Sequence, residues 1–194
     1  MKLVGSSMSP YVRRLRLFLE GKSFEFINLN IYSPEGREAL ARYTPAMKIP
    51  VLMDGEQTIY DSRAIHRYLV STHFPETPMS WHQENLLSLI DAANDSYVIL
   101  LLSKRSGIDT DADMLIANLQ KERIERTLQL LEKSVASGEL ADWNYPAMCL
   151  FCLLDWISFR ELEDLSRYTA LNTFHQQHLT SPGVSDSDPR LVDA

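Results

Sequence analysis

Residues Lys48–Leu69 read KIPVLMDGEQTIYDSRAIHRYL, and the rest of the chain is organised around them. Val51-Leu52-Met53 is a short apolar strand. Asp54-Gly55 is a hairpin signal, because both positions tolerate the positive φ that a type I′ turn needs. Gln57 to Tyr60 returns as the partner strand. Asp61-Ser62 offers side-chain oxygens to the bare N–H groups that open a following helix. In that helix Ile65, Tyr68 and Leu69 share one face at i, i+3, i+4. Pro50 stands just before the strand, where a missing ladder donor is tolerated. Most X–Pro bonds are trans, so the residues alone favour trans at Pro50. Asp61-Ser62 is an ordinary cap, and also a helix N-terminus able to receive an anion.

Working outward, Lys2-Leu3-Val4 is a strand and Gly5 to Met8 a loop. Ser9-Pro10 starts a helix, with Ser as N-cap and Pro at the first helical position. Val12, Leu15, Phe18 and Leu19 lie on its apolar side, and Gly21 ends it. Phe24 to Leu29 is a second strand. Ser33-Pro34-Glu35 repeats the Ser-cap, Pro-first signature and opens a helix that stops before Thr44-Pro45. The order is β-α-β-α-β-β-α, with the first two strands parallel across a right-handed crossover. That is a thioredoxin-like plan, an α/β domain assigned to residues 1–73.

Residues 74–80, within HFPETPMS, hold two prolines and no periodicity, and read as a linker. Residues 81–194 read as an all-α helical bundle. Trp81 to Ser103 carries Leu86, Leu87, Leu89, Ile90, Ala93, Tyr97, Ile99 and Leu101. Asp111 to Ala136 is expected to turn Leu115, Ile116, Leu119, Ile124, Leu128 and Leu131 inward. Asn144 caps a third helix, Tyr145 to about Phe159, apolar nearly all round and expected at the bundle centre. A last helix runs through Tyr168 to Leu179. Ser181 to Ala194 is polar, with two prolines, and reads as a loose tail.

The chain has 194 residues with a net charge of −7, which disfavours non-specific nucleic-acid binding. Arg13, Arg14, Arg16, Lys22, Arg37, Arg42 and Lys48 all lie in the first quarter; they suit a small anionic ligand or simply solvated helix faces. No apolar run is expected to span a membrane. The two cysteines, Cys149 and Cys152, fit a reducing, cytoplasmic setting rather than a disulfide scaffold.

Three segments together carry a family resemblance: Ser9-Pro10 with Tyr11-Val12-Arg13-Arg14, then Lys48-Ile49-Pro50-Val51-Leu52, then Asp61-Ser62-Arg63-Ala64-Ile65. In this order, ahead of a linker and a helical domain, they resemble the cytosolic glutathione S-transferases, and most nearly their bacterial serine-type members. The resemblance covers nearly the whole chain. It implies a cis bond before Pro50, against the expectation from the residues alone. It also implies glutathione as co-substrate, no metal or other cofactor, and a homodimer.

The chemistry can be set out from the ligand. A free thiol has a pKa near ~8.5, and lowering it by two units needs about 2.7 kcal/mol of preferential thiolate stabilisation. Ser9 is the catalytic candidate: a hydroxyl donor to the sulfur anion, aided by the positive end of its helix. Its plainer reading is an N-cap, and Ser7 and Ser6 are rivals for the role. By the resemblance, the backbone of Ile49 before Pro50 pairs with the cysteinyl unit like an added strand. Ser62 takes the γ-glutamyl carboxylate, Asp61 the ammonium, and Lys48 the glycyl carboxylate. A hydrophobic electrophilic acceptor is expected between the domains, against the helix of Tyr97 and Leu101.

Other signals are read as structural. Cys149-x-x-Cys152 lies inside the apolar helix and reads as core packing. His175 and His178 read as surface residues. Asp155, inside the same apolar helix, calls for an inter-helix bond or a capping role. Met47 stands where the family commonly has glycine, and Asn144-Tyr145-Pro146-Ala147 replaces the family's usual capping box. The reading is a glutathione transferase attacking a small electrophile, without nucleic-acid or membrane partners. The alternative is a non-catalytic binding or regulatory protein resembling the stringent starvation proteins. Thiol-disulfide exchange ranks last, because Ser9 sits where redox relatives carry cysteine.

Overall fold

The computed structural model describes residues 1–193. The chain forms two compact units. The first comprises Met1–Pro78 together with the segment from Leu179 onward, and the second comprises Met79–His178.

In the first unit the order is β1 (Lys2–Gly5), α1 (Pro10–Phe18), β2 (Glu25–Asn28), α2 (Pro34–Tyr43), β3 (Val51–Asp54), β4 (Gln57–Tyr60) and α3 (Ser62–Thr72). The sheet order is β2-β1-β3-β4. β1 and β2 are parallel, whereas β1–β3 and β3–β4 are antiparallel, so the expected thioredoxin-like arrangement is present. Leu3, Val4, Val12, Leu15, Leu52, Ile65 and Leu69 are fully buried. Gly5 permits a close approach of β1 to α1, since a Cβ there would lie 2.4 Å from Val12 Cγ2. Ser9 and Ser33 cap α1 and α2, each followed by proline.

The hairpin differs in detail from its expected form. Asp54 pairs with Gln57, so the turn residues are Gly55 and Glu56. Only Gly55 has positive φ, 58°, which is the pattern of a type II′ turn rather than I′. Asp54 is instead drawn into the strand, its carboxylate accepting from Tyr68 Oη at 2.9 Å and bonding His73.

The segment after Leu179 also differs from expectation. It groups with the first unit rather than with the helices, and its described part is held rather than loose. Arg13, itself buried, donates from Nε to Ser187 Oγ and from Nη2 to the Val184 carbonyl, both at 3.1 Å. Arg16 donates to the Asp186 carbonyl at 2.7 Å. Val184 and Ser187 are buried, and a 3-10 helix follows at Pro189–Asp193.

The second unit contains α4 (Trp81–Arg105), α5 (Leu115–Ala136), α6 (Tyr145–Phe159) and α7 (Thr169–His178). An 18-residue stretch of α4 reaches a mean hydropathy of 1.4, enough by length and composition for a membrane span, although Asp91 and Asp95 break the apolar run as expected from the sequence. Its Leu86, Leu87, Ile90, Ala93 and Tyr97 are buried, and it packs against α5 and α6. Those contacts bury 39% of that stretch.

Helix α5 starts at Leu115 rather than Asp111, because Asp109 Oδ1 accepts from the Asp111 amide and holds that segment in a turn. Leu115, Ile116 and Leu119 are exposed, against expectation, whereas Ile124, Leu128 and Leu131 are buried. Helix α6 is buried nearly all round, including Cys149 and Cys152, as its composition required. Asn144 Oδ1 caps it through the Ala147 amide at 3.2 Å.

The two late histidines are not surface residues. His175 Nε2 lies 3.0 Å from Asp155 Oδ1, and its ring stacks on Phe151. His178 stacks on Trp143 at 4.5 Å, and burial pushes its pKa below the usual imidazole value. Asp155, 2 % exposed, therefore gains the inter-helix bond its burial demanded.

Candidate functional site

Strand register gathers the expected site residues at one end of the first unit's sheet. Val4 pairs with Val51, and Val51 with Tyr60. The three strand ends in that row lead directly into the Ser6–Ser9 loop, out of Ile49-Pro50, and into Asp61-Ser62. The Ser6–Ser9 loop thus meets two segments from far along the chain because β1–β3 and β3–β4 both run antiparallel.

The loop before α1 is tightly turned. Ser9 N donates to the Ser6 carbonyl at 3.0 Å, and Met8 N to Ser6 Oγ at 3.3 Å. Ser7 is buried and its amide donates to Asn28 Oδ1 at 3.0 Å. Ser9 is half-buried and serves as N-cap, its Oγ accepting from Val12 N at 3.4 Å. Capping uses an oxygen lone pair, so the hydroxyl hydrogen of Ser9 retains its donor capacity. The two sequence readings of Ser9 are therefore compatible. No acidic residue occupies the first turn of α1, leaving the helix's positive end undiminished there.

The Ile49–Pro50 bond is cis, as the family resemblance implied and the residues alone did not. Pro50 is buried and Lys48 exposed. Met47 adopts φ 53°, a left-handed conformation that favours glycine, the residue that the family resemblance leads one to expect there.

Asp61 also has positive φ, 73°. Such backbone costs about 1–3 kcal/mol and persists where its surroundings hold it. Here Asp61 Oδ1 accepts from Arg63 N at 2.8 Å and Ala64 N at 3.2 Å, capping α3. Ser62, the first residue of α3, is 3 % exposed. Its Oγ accepts from Arg14 Nη1 at 3.5 Å. Arg14 is fully buried, with its guanidinium 4.9 Å from the centre of the Tyr11 ring. Arg14 was not among the expected site residues. Its position was the available signal: it stands four residues from both Pro10 and Phe18, on the buried side of α1.

The second unit contains a cavity of about 670 Å³ beside Tyr97 and Leu101, also lined by Leu100, Ile124, Arg160 and Arg167. Tyr97 donates to Glu163. Burial first, and then the Glu163 carboxylate, holds the Tyr97 phenol pKa far above its usual value. A further cavity of about 780 Å³ is lined by Ser158, Glu161, Asn172 and His175. Among the described residues no group of three or more His, Cys, Asp or Glu is arranged to hold a metal ion.

The chain matches the family described as glutathione S-transferase, N-terminal domain, over residues 3–77. It is 30% identical over 174 residues to the uncharacterised GST-like protein YibF of Escherichia coli, an alignment covering 84% of each chain. Glutathione S-transferase 1 of Zea mays is 28% identical over 177 residues, covering 78% of this chain and 81% of the maize protein. A glutathione transferase family member from Pseudomonas fluorescens Pf-5, solved with bound glutathione, superposes with a TM-score of 0.81 at 27% identity. That superposition covers 97% of this chain and 98% of the Pseudomonas chain. With the sheet topology, the cis proline and relatives similar over most of their length, the chain belongs to the glutathione S-transferase family.

Proposed function

We propose that this protein is a cytoplasmic, homodimeric glutathione transferase, in which Ser9 stabilises the thiolate of glutathione for attack on a hydrophobic electrophile. The observation that carries this reading is the convergence of the Ser9 cap, Ile49-Pro50 and Asp61-Ser62 at one sheet end. The Pseudomonas family member with glutathione bound supports the choice of ligand. Ser9 is favoured over Ser7 because Ser7 is buried.

In this mechanism the thiol proton leaves to solvent and the Ser9 O–H donates to the sulfur anion. The sulfur lone pair forms the new S–C bond, and the leaving group departs with its bonding electrons. The first turn of α1 adds its dipole to the same charge. Ile49 pairs through its backbone with the cysteinyl unit, and Ser62 receives the γ-glutamyl carboxylate. Asp61 caps α3 through Oδ1, and its carboxylate meets the ammonium. Lys48, exposed, attracts the glycyl carboxylate. The cavity beside Tyr97 and Leu101 supports acceptor binding in that region, and the exposed Leu115, Ile116 and Leu119 support association of two copies.

The test is retention on immobilised glutathione, combined with turnover of a chloro-nitrobenzene acceptor that releases chloride. Ser9→Ala is expected to lower kcat by roughly 10–100-fold, the loss of one charge-assisted hydrogen bond. It should also cost about 1 kcal/mol of stability through the lost cap. Retention with no turnover by the wild-type protein supports a binding or regulatory role instead, and absence of retention overturns both glutathione readings.

A further inference from the structure

We propose that Asn94 and Trp156 form a recognition subsite for a neutral carboxamide, behind the wall of the cavity beside Tyr97 in the second unit. On the glutathione reading above the carboxamide belongs to the electrophilic acceptor, but the test needs neither glutathione nor turnover.

Asn94 is 0 % exposed, and among the described residues neither its Oδ1 nor its Nδ2 has a hydrogen-bond partner. Trp156 is 6 % exposed, and its Nε1 lacks a partner as well. Buried polar groups left unpaired cost stability, and elsewhere both helices satisfy them. Ser96, equally buried on α4, accepts from Arg123 Nη1 at 3.1 Å, and Asp155 on α6 pairs with His175. Helices α4 and α6 pack against each other, and residues from the end of each line the cavity of about 670 Å³. Tyr97 follows Asn94 by three positions on α4, and Arg160, at the end of α6, follows Trp156 by four. On each helix the unpaired group therefore lies one turn behind a cavity-lining residue.

The chemistry of the two side chains defines the ligand. The Asn94 amide offers a donor and an acceptor side by side, and the indole N–H offers a further donor. A carboxamide presents the complement. Its N–H donates to Asn94 Oδ1, and its carbonyl oxygen, with two lone pairs, accepts from Asn94 Nδ2 and Trp156 Nε1. A carboxylate of the same shape has no hydrogen for Oδ1, and it would carry its charge into a buried site whose two side chains are neutral. Entry displaces Tyr97, the lining residue next to Asn94 on that face, from its bond to Glu163. Lys104, Arg105 and Arg160 also line the cavity and would draw a carboxylate, so a preference for the amide isolates the contribution of the inner pair.

The experiment compares dissociation constants, by titration calorimetry, for 2-naphthamide and 2-naphthoate, which share one shape and differ in charge and in the N–H. The wild-type protein is expected to bind the amide at least tenfold more tightly. Asn94→Leu, close in volume, should weaken the amide at least tenfold and the naphthoate less than twofold. Trp156→Phe removes the indole N–H and should weaken the amide about threefold, with the naphthoate unchanged; it carries the test should Asn94→Leu fail to fold by circular dichroism. A wild-type protein that binds the naphthoate as tightly as the amide, or binds neither, overturns the subsite. So does equal weakening of both ligands, or an unchanged amide affinity, in a folded variant. Turnover of the chloro-nitrobenzene bears on the transferase reading alone, so the two readings can fail separately.

Discussion

Helix α1 buries two guanidinium groups and helix α6 buries a carboxylate, and the two helices meet the cost differently. On α6, Asp155 bonds His175 of α7 at 3.0 Å, and the imidazole is fixed by stacking on Phe151. On α1, Arg13 is held as firmly, by Ser187 Oγ and the Val184 carbonyl at 3.1 Å each. Arg14, the next residue, donates from Nη1 to Ser62 Oγ at 3.5 Å, beside the first turn of α3. A buried charge bound closely by a remote part of the chain acts as a fastener. The adjacent arginines of α1 therefore tie that helix to different parts of the first unit, Arg13 to the segment after Leu179 and Arg14 to the start of α3.

The largest effect that would break this contrast concerns a third ionisable group in the first unit. His66, on α3, is 4 % exposed, edge-on to Phe18 at 4.6 Å, and burial lowers its pKa from 6.5 to about 4. Folded protein thus keeps His66 neutral where the unfolded chain takes up a proton. The stability gained is fully present above pH 6.5 and is lost as pH falls towards 4. The loss attributable to this residue should be about 3 kcal/mol. Urea unfolding from pH 7.5 to 4 should show that slope in the wild-type protein and a flatter one in His66→Leu; parallel slopes would show that the first unit accepts another buried cation.

A smaller effect is expected in the second unit. His175→Ala removes a hydrogen bond to a buried carboxylate and a ring stack, and should cost about 2.5 kcal/mol. The measurement is the urea midpoint at constant m-value. A cost under ~0.5 kcal/mol would mean that Asp155 is satisfied without α7, and the likeness between Asp155 and Arg13 would fail.

Ser187→Ala should cost least, about 1.5 kcal/mol, since Arg13 keeps the Val184 carbonyl. Glutathione affinity should be unaffected in this variant. Weakened binding, seen by titration calorimetry, would mean that Arg13 serves the site as well as the fold.

How far the sequence was legible follows from the range of each interaction. Ser9-Pro10 and Ser33-Pro34 announced both helix starts because capping joins residues three apart. The β-α-β-α-β-β-α order was readable for the same reason. The hairpin was misread by one residue, since Tyr68 on α3 and His73 just beyond it hold Asp54 in the strand. Leu115, Ile116 and Leu119 keep helical spacing, but periodicity identifies a face without saying what covers it. Asp155 could be recognised as needing a partner; that the partner is His175, twenty residues on, is a fact of helix packing. At the site, the chemistry of Ser9, Ile49, Asp61 and Ser62 rested on family likeness as much as on residue type. Arg14 was visible as one basic residue among several in the first quarter, set four residues from both Pro10 and Phe18.

Arg13 and Ser187 are 174 residues apart in the chain yet share a hydrogen bond in one folded unit. During synthesis, the arginine of the first helix emerges long before its acceptors do. Until residues 184–187 leave the ribosome, that guanidinium has neither Ser187 nor the Val184 carbonyl, and the unit bearing the sheet stays incomplete while the intervening helices are made. Removing residues 184–187 would therefore be felt first at α1.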